Sequence, residues 1–475
     1  MGSAILLTLL ASVASGALLD QKYSDALEKI GTQEEIVPFL GGAGPHFSYP
    51  LDFGIDKAIP DTCELTQVQL FARHGERYPT KSKGAKILET YYKLANYTGT
   101  FNQSLSFLDD DYEIFIQDTN NFEEETTLKN TVNPLNPYTG EMDAKRHSQE
   151  FLAQYADLLE ETPSFAMFTS NSKRCHDTAK FFIDGLGKDY NVSLQIIDED
   201  PSSGYNTLTP RYACSNFNET ENDEYVDTYS HKYLSNLAKR LNDENIGLNL
   251  TKSDATNLFD WCSYELNARG YSDICDVFTQ EELVHYSYQD DLESYYENGN
   301  GNSLGATAGS VLFNASAELL RQSDELEQKV WLSFTHDSDL VNYIAAVGLF
   351  DDGHKLNASQ VPFRDHVYRK SWIVPQGARI YTQQFKCSNQ TYVRYVVNDV
   401  VIPIESCSSG PGFSCPSDGF FKYVEERIGG INYNEKCGQN KASNATSLTF
   451  YWDYESKNYN ASLIKKWSTN TLKLF

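Results

Sequence analysis

Apolar and polar side chains alternate along residues 66–73, with Val68, Leu70 and Ala72 on one side of an extended chain and Gln67, Gln69 and Arg73 on the other. A period of two predicts a strand with one face in a core. Phe71, standing among the polar positions, predicts a central strand covered on both faces. The alternation stops at a charged turn that runs from His74 through Gly75, Glu76 and Arg77 to Tyr78 and Pro79. Thr80 can then cap a helix whose apolar stripe would be Leu88, Tyr91, Tyr92 and Ala95. Two later stretches repeat this strand-to-helix grammar. Residues 165–169 are short and apolar, and a polar turn leads to Arg174 at the start of a helix with Cys175, Ala179, Phe182, Ile183 and Leu186 facing inward. Residues 330–335, VWLSFT, form a third such strand that ends at His336 and Asp337 before the apolar helix LVNYIAAVGLF.

The other patterns fill in the architecture. Residues 139–160 predict a long helix with Phe151, Leu152, Tyr155, Leu158 and Leu159 on one side. Residues 98–136 are acidic and irregular, as surface loops are, and 202–323 are mostly helical by pattern. A short amphipathic helix is expected near 23–30, followed by the Gly/Pro-rich LGGAGPHFSYP, an extension that would wrap the body or a neighbouring subunit. Two strand-like stretches, ARIYTQQFKC and YVRYVVNDVVIPI, lie toward the C-terminus. The expected fold class is α/β, a central mixed, mainly parallel sheet flanked by helices, with a smaller, mostly helical cap. The expected division is a signal peptide at 1–17, an extension at 18–60, an α/β catalytic domain from 61–80, 165–205 and 325–475, and the cap from 81–164 and 206–324.

Charge narrows the partners. A net charge of −27 argues against nucleic acid and anionic membranes, both of which need basic patches. An anionic substrate must then be drawn by a local positive pocket, and the isoelectric point of about 4.7 suits an acidic medium. Residues 4–17, AILLTLLASVASGA, form an apolar run ending in small residues, as a secretory leader does, and are too short to span a bilayer. Ten Asn-x-Ser/Thr sequons, at Asn96, Asn102, Asn191, Asn218, Asn249, Asn314, Asn357, Asn389, Asn444 and Asn460, point the same way. The chain is therefore expected to be secreted, extracellular or associated with the cell wall. Nine cysteines leave at least one unpaired, and spacing alone does not give the pairing.

Chemistry concentrates at the first junction. Two guanidiniums beside a helix amino end offer donors matched to phosphate oxygens, and a neutral imidazole there can attack phosphorus. Arg-His-Gly-x-Arg-x-Pro, at residues 73–79, would occur by chance in roughly one chain of this length in ten thousand. No His-Glu-x-x-His, clustered His pair or nucleotide-type Gly loop is present in the sequence, so neither a catalytic metal nor a cofactor is expected.

At these residues the sequence resembles the histidine acid phosphatases, the secreted branch of the phosphoglycerate-mutase-like superfamily, and above all the acid phosphatases and phytases of yeasts. FTSNSKRCHDTA at 168–179, LSFTHDSDL at 332–340 and the cysteines carry the same resemblance. It implies His74 as nucleophile, Asp337 as proton donor, and Arg73, Arg77, Arg174 and His336 as phosphate ligands. Glu76 and Tyr78 fill variable positions of the motif. It also implies disulfides Cys63–Cys387, Cys214–Cys437, Cys262–Cys275 and Cys407–Cys415, with Cys175 as the free thiol. Small phosphate monoesters are the expected substrates, with a dedicated phytase as the alternative and homo-oligomer formation left open. A mutase-type phosphotransferase would use the same His, but a leader and sequons remove it from sugar-phosphate metabolism. A secreted phosphate-binding protein would keep the arginines and need neither His74 nor Asp337, and a wall glycoprotein would explain the sequons alone.

Overall fold

One eight-stranded sheet runs through the computed structural model, which describes residues 29, 32–51, 53–359, 366–439 and 448–464. The expected leader, all but Lys29 of the helix expected near 23–30, and Asn444 lie outside the described residues. The strands are β1 Cys63–Arg73, β2 Ser164–Ser170, β3 Asn191–Ile197, β4 Val330–Thr335, β5 Arg379–Cys387, β6 Gln390–Val397, β7 Val400–Ile402 and β8 Cys415–Pro416. Their order is β3-β2-β4-β1-β5-β6-β7, with β8 on β6. β3, β2, β4 and β1 are parallel, whereas β5 to β8 continue antiparallel, so the parallel half is the half preceding the motif turns.

Helices of eight residues or more among the described residues are α1 Lys81–Ala95, α2 Gly140–Glu161, α3 Lys173–Leu186, α4 Lys232–Glu244, α5 Lys252–Arg269, α6 Gln280–Glu297, α7 Gly305–Arg321, α8 Asp337–Val347, α9 Ser417–Ile428 and α10 Phe450–Lys457. Both faces of β1 are covered, as the interruption by Phe71 predicts. Val68, Leu70 and Ala72 pack with Met167, Leu332 and Phe334 under Phe151 and Leu158 of α2 and Phe182 of α3. Phe71, Phe168 and Trp331 belong to the opposite core with α7, α8 and α10. Gln67 and Gln69 are buried on that second face and satisfied there, their side-chain amides donating to Leu319 O at 2.9 Å and Ser316 O at 3.0 Å.

Three expectations are corrected. α2 and α7, expected in the cap, pack on the two faces of the sheet, because their apolar stripes meet strand side chains. The buried side of α1 is Ile87, Leu88, Thr90 and Leu94, whereas Tyr92 and Ala95 are exposed. The cause is α5, against which Thr90 donates to Asp254 Oδ1 at 3.1 Å and Asn257 donates to Lys86 O at 3.1 Å. YVRYVVNDVVIPI is a hairpin of two strands, turning at Asn398 and Asp399, both with positive φ. The extension lies across its own chain: Tyr49 N donates to Asn398 O at 2.8 Å and Gln376 N to Gly44 O at 3.0 Å. All four disulfides form in the pairing that the resemblance implies, and Cys175 is free and buried. Among the described residues no helix is long and apolar enough to cross a membrane. Of the nine described sequon asparagines, Asn357 is half-buried and the rest are exposed.

Candidate active site

Four adjacent parallel strands end at one edge of the sheet, and each is followed at once by charged groups. Across the sheet, β3 leads to Glu199, β2 to the turn before Arg174, β4 to His336 and Asp337, and β1 to Arg73 and His74. This is the end of an open α/β sheet where ligands gather. The ladder carries on past the strands, since His74 N donates to Thr335 O at 3.1 Å and Gly377 N to His74 O at 2.8 Å. The residues that the sequence placed at three junctions are thus brought together.

His74 is buried, and its Nδ1 lies 2.9 Å from Gly75 O. A carbonyl only accepts, so Nδ1 carries the hydrogen and Nε2 keeps its lone pair. Burial first, then the guanidiniums of Arg174, Arg73 and Arg77, hold this imidazole well below its ordinary value. It therefore stays unprotonated well into the acid range.

Arg73 is held from behind, its Nη1 donating to Gly42 O at 2.6 Å and Val374 O at 2.7 Å, while its Nη2 reaches Asp337 Oδ2 at 3.2 Å. Arg77 donates to Tyr78 O at 2.8 Å and lies over the Tyr264 ring, 5.6 Å from its centroid. Arg174 Nη2 donates to His336 Nδ1 at 3.2 Å. The Nε of each of these arginines is buried without a hydrogen-bond partner, a feature they share with Arg211, Arg240 and Arg269.

Asp337 is one-third exposed at the start of α8. Burial pushes its carboxyl up, but Arg73, Lys370, His336 and Arg77 overcome that and hold it well below the usual carboxylate range. His336 gives its other nitrogen, Nε2, to Glu199 Oε1 at 2.6 Å. Because Arg174 can only donate to Nδ1, the hydrogen of His336 sits on Nε2 and points at Glu199. Burial works against the Glu199 charge, yet His336 and Arg174 bring its carboxyl down to about 2.

Sequence reasoning did not single out Glu199, although it stands in the middle of an acidic run, Asp198 to Asp200, directly after the alternation of Val192, Leu194 and Ile196. It also missed the brace of the motif turn. Gly75 N donates to Thr178 Oγ1 at 2.9 Å, and that hydroxyl lies 2.9 Å from both Glu125 Oε1 and Arg174 O. A Cβ on Gly75 would collide with the Glu125 carboxyl and lie 3.0 Å from Gly140 Cα, so the close approach requires glycine. Glu76 points elsewhere, accepting from His46 N at 2.8 Å, and Tyr78 donates to Asn130 O at 2.6 Å. The Cys175 thiol packs 3.7 Å from His336 Nδ1, and burial pushes it up, which makes it a structural group rather than a nucleophile.

The profile of the histidine phosphatase superfamily (branch 2) matches residues 64–398. A constitutive acid phosphatase of Saccharomyces cerevisiae is 57% identical over 438 residues, covering 92% of this chain and 94% of that one. A phytase of Candida albicans is 47% identical over 436 residues, covering 91% and 93%. Among solved structures, the phytase from D. castellii superposes with a TM-score of 0.86 at 47% identity, over 90% of this chain and 93% of that one. Identity at this level over nine-tenths of each chain, on a sheet whose strand ends carry the Arg-His-Gly and His-Asp sequences, means that the chain belongs to branch 2 of the histidine phosphatase superfamily.

Proposed function

We propose that the chain is an acid phosphatase, hydrolysing phosphate monoesters through a phosphohistidine on His74. The observation that carries this reading is the His74 imidazole, committed through Nδ1 to a carbonyl and left with a free Nε2 lone pair among the guanidiniums of Arg73, Arg77 and Arg174. Arg73, Arg77, Arg174 and His336 would hold the nonbridging oxygens and neutralise the charge that grows on them. Nε2 attacks phosphorus, the bond to the ester oxygen breaks, and Asp337 gives that oxygen its proton. In the second half, water attacks the phosphorus of the phosphohistidine, Asp337 takes its proton, and the P–N bond breaks to free His74 and release phosphate. Glu199 serves as a positioning residue, keeping His336 oriented and offsetting the imidazolium that forms when a phosphate dianion calls for a second N–H.

The same charges set the pH range. Guanidiniums favour the neutral nucleophile and disfavour a protonated Asp337, so only a bound dianion, which partly cancels them, lets Asp337 hold its proton, and only at acid pH. Simple monoesters fit better than a polyphosphorylated ring, because Asp290 of α6 already pairs with Lys370 beside Asp337 and takes up the cation that a further phosphate would need. The leader sequence and the exposed sequons support an exported, glycosylated protein.

Acid-quenched reaction with labelled substrate should leave base-stable, acid-labile phosphate on the wild type and none on His74→Ala. Label on serine, or turnover retained by His74→Ala, would defeat the mechanism. Turnover of phytate below that of glycerol phosphate supports the general monoesterase, and the reverse supports the phytase.

A further inference from the structure

Lys370 opens a short helix, Lys370–Ile373, far in sequence from every motif of the site, yet its side chain is only 16% exposed. Its place is set by the Gly41–Gly42 turn of the extension. Gly42 O accepts from Arg73 at 2.6 Å, and Gly42 N donates to Asp290 Oδ2 at 2.8 Å. A Cβ on Gly42 would lie 2.8 Å from Lys370 Cε and 3.5 Å from Arg73 Nη1, so this bare backbone is what lets the lysine approach the arginine. On Gly41, whose φ is +61°, a Cβ would collide with the Asp290 carboxyl. The other Asp290 oxygen pairs with Lys370 Nζ at 2.9 Å, and Asp291 accepts the Lys370 N–H at 2.6 Å.

We propose that the Lys370–Asp290 pair is a positioning element of the reaction, whose balance of charge sets the pH range over which Asp337 delivers its proton. The inference rests on Asp337 being the proton donor. Several charged groups surround these side chains, among them Lys83 of α1, which faces Asp290. Asp337 faces Arg73 and Arg77 from the end of β1 and its turn, His336 from the end of β4, and Lys370. Asp339, one turn further along α8, is raised to about 8 by burial and so stays protonated and uncharged across the acid range. Lys370 faces Asp337, and from α6 it faces Asp290 and Glu297, with Glu293 beside them. Lys370 comes up to the Arg73 guanidinium across Gly42, and that guanidinium lies 3.2 Å from Asp337, so both cations act on the same carboxyl. The Lys370 ammonium is in turn restrained by Asp290, so the two residues act on Asp337 with opposite sign.

The test is the pH dependence of kcat/KM with glycerol phosphate, whose alkoxide needs an acid, and with p-nitrophenyl phosphate, whose leaving group needs one far less. Lys370→Met should move the alkaline limb for glycerol phosphate upward by about one pH unit, since losing a nearby cation lets Asp337 keep its proton longer. Asp290→Asn should move it downward, and Lys370→Arg should leave it near the wild type. The limb for p-nitrophenyl phosphate should shift much less in each case. Should Lys370→Met not be secreted, the direction given by Asp290→Asn decides alone. Unmoved limbs, or shifts of the same sign in Lys370→Met and Asp290→Asn, would overturn the inference. Asp337→Asn, measured alongside, separates the two failures. If it keeps the glycerol phosphate limb, the proton-donor assignment falls and the inference with it. If it loses that limb while Lys370→Met leaves it unmoved, the inference alone falls.

Discussion

In the proposed mechanism Asp337 has the hardest task of any residue, since it must carry a proton 3.2 Å from a guanidinium. A general acid matters in proportion to how poor the leaving group is. Asp337→Asn should therefore lose on the order of 10² to 10⁴ in turnover of alkyl esters, while phosphorylation of His74 by an aryl ester with an acidic phenol is largely spared. Equal losses for both, measured by rapid quench, would make the residue structural. Arg73, His74 and Arg77 stand out in the sequence because they follow the period-two alternation of residues 66–73, and Arg174, His336 and Asp337 because each follows a short apolar run that leads into a helix. Glu199 does not, because it follows β3, a strand with alternating half-exposed positions near which no motif stands. Lys370 had no signal at all: it lies 80 residues from the Asp290 it pairs with, and only the fold makes them neighbours.

At the scale of elements, the motif turn is braced by α3 through Thr178 and by the loop bearing Glu125, which pairs with Arg77 in an isolated antiparallel bridge. Gly75→Ala should displace this turn, because the added methyl meets the Glu125 carboxyl and the backbone of Gly140. Displacement of the nucleophile by a fraction of an ångström to an ångström costs up to about 10² in rate. We expect kcat to fall by that order with the melting temperature little changed; kcat within twofold of wild type would show the turn to be more tolerant than its packing implies. The sequence disclosed that α2 and α7 exist but not where they pack, because an amphipathic stripe identifies the buried side of a helix and not the surface it meets. For α1 even the side was misread, since Tyr91 and Tyr92 are adjacent large rings and only α5 decides which turns inward.

The whole molecule is built for acid. Burial raises Asp339 to about 8, and burial together with neighbouring carboxylates raises Glu297 to about 7, while Glu76 and Glu125 are raised by the same cause. Each such carboxyl binds its proton more tightly folded than unfolded, so its contribution is fully present below the unfolded value and is lost as pH rises through the folded one. His46, His74, His147 and His336, buried and lowered, work the other way below the ordinary imidazole value, so stability should decline between about pH 6.5 and 8, with the −27 net charge adding self-repulsion. Calorimetry should give a melting temperature higher by a few degrees at about pH 6.5 than at pH 8, and a flat or rising profile over that range would contradict it. The strand order carries a further consequence, for synthesis. β4 lies between β1 and β2, but the chain must make α4 to α7 before reaching it. At usual elongation rates β1 and β2 wait roughly 10 to 30 s with open parallel edges. A ribosome-bound fragment that stops short of residue 330 holds His74, Arg73, Arg77 and Arg174 yet has no strand to set them side by side.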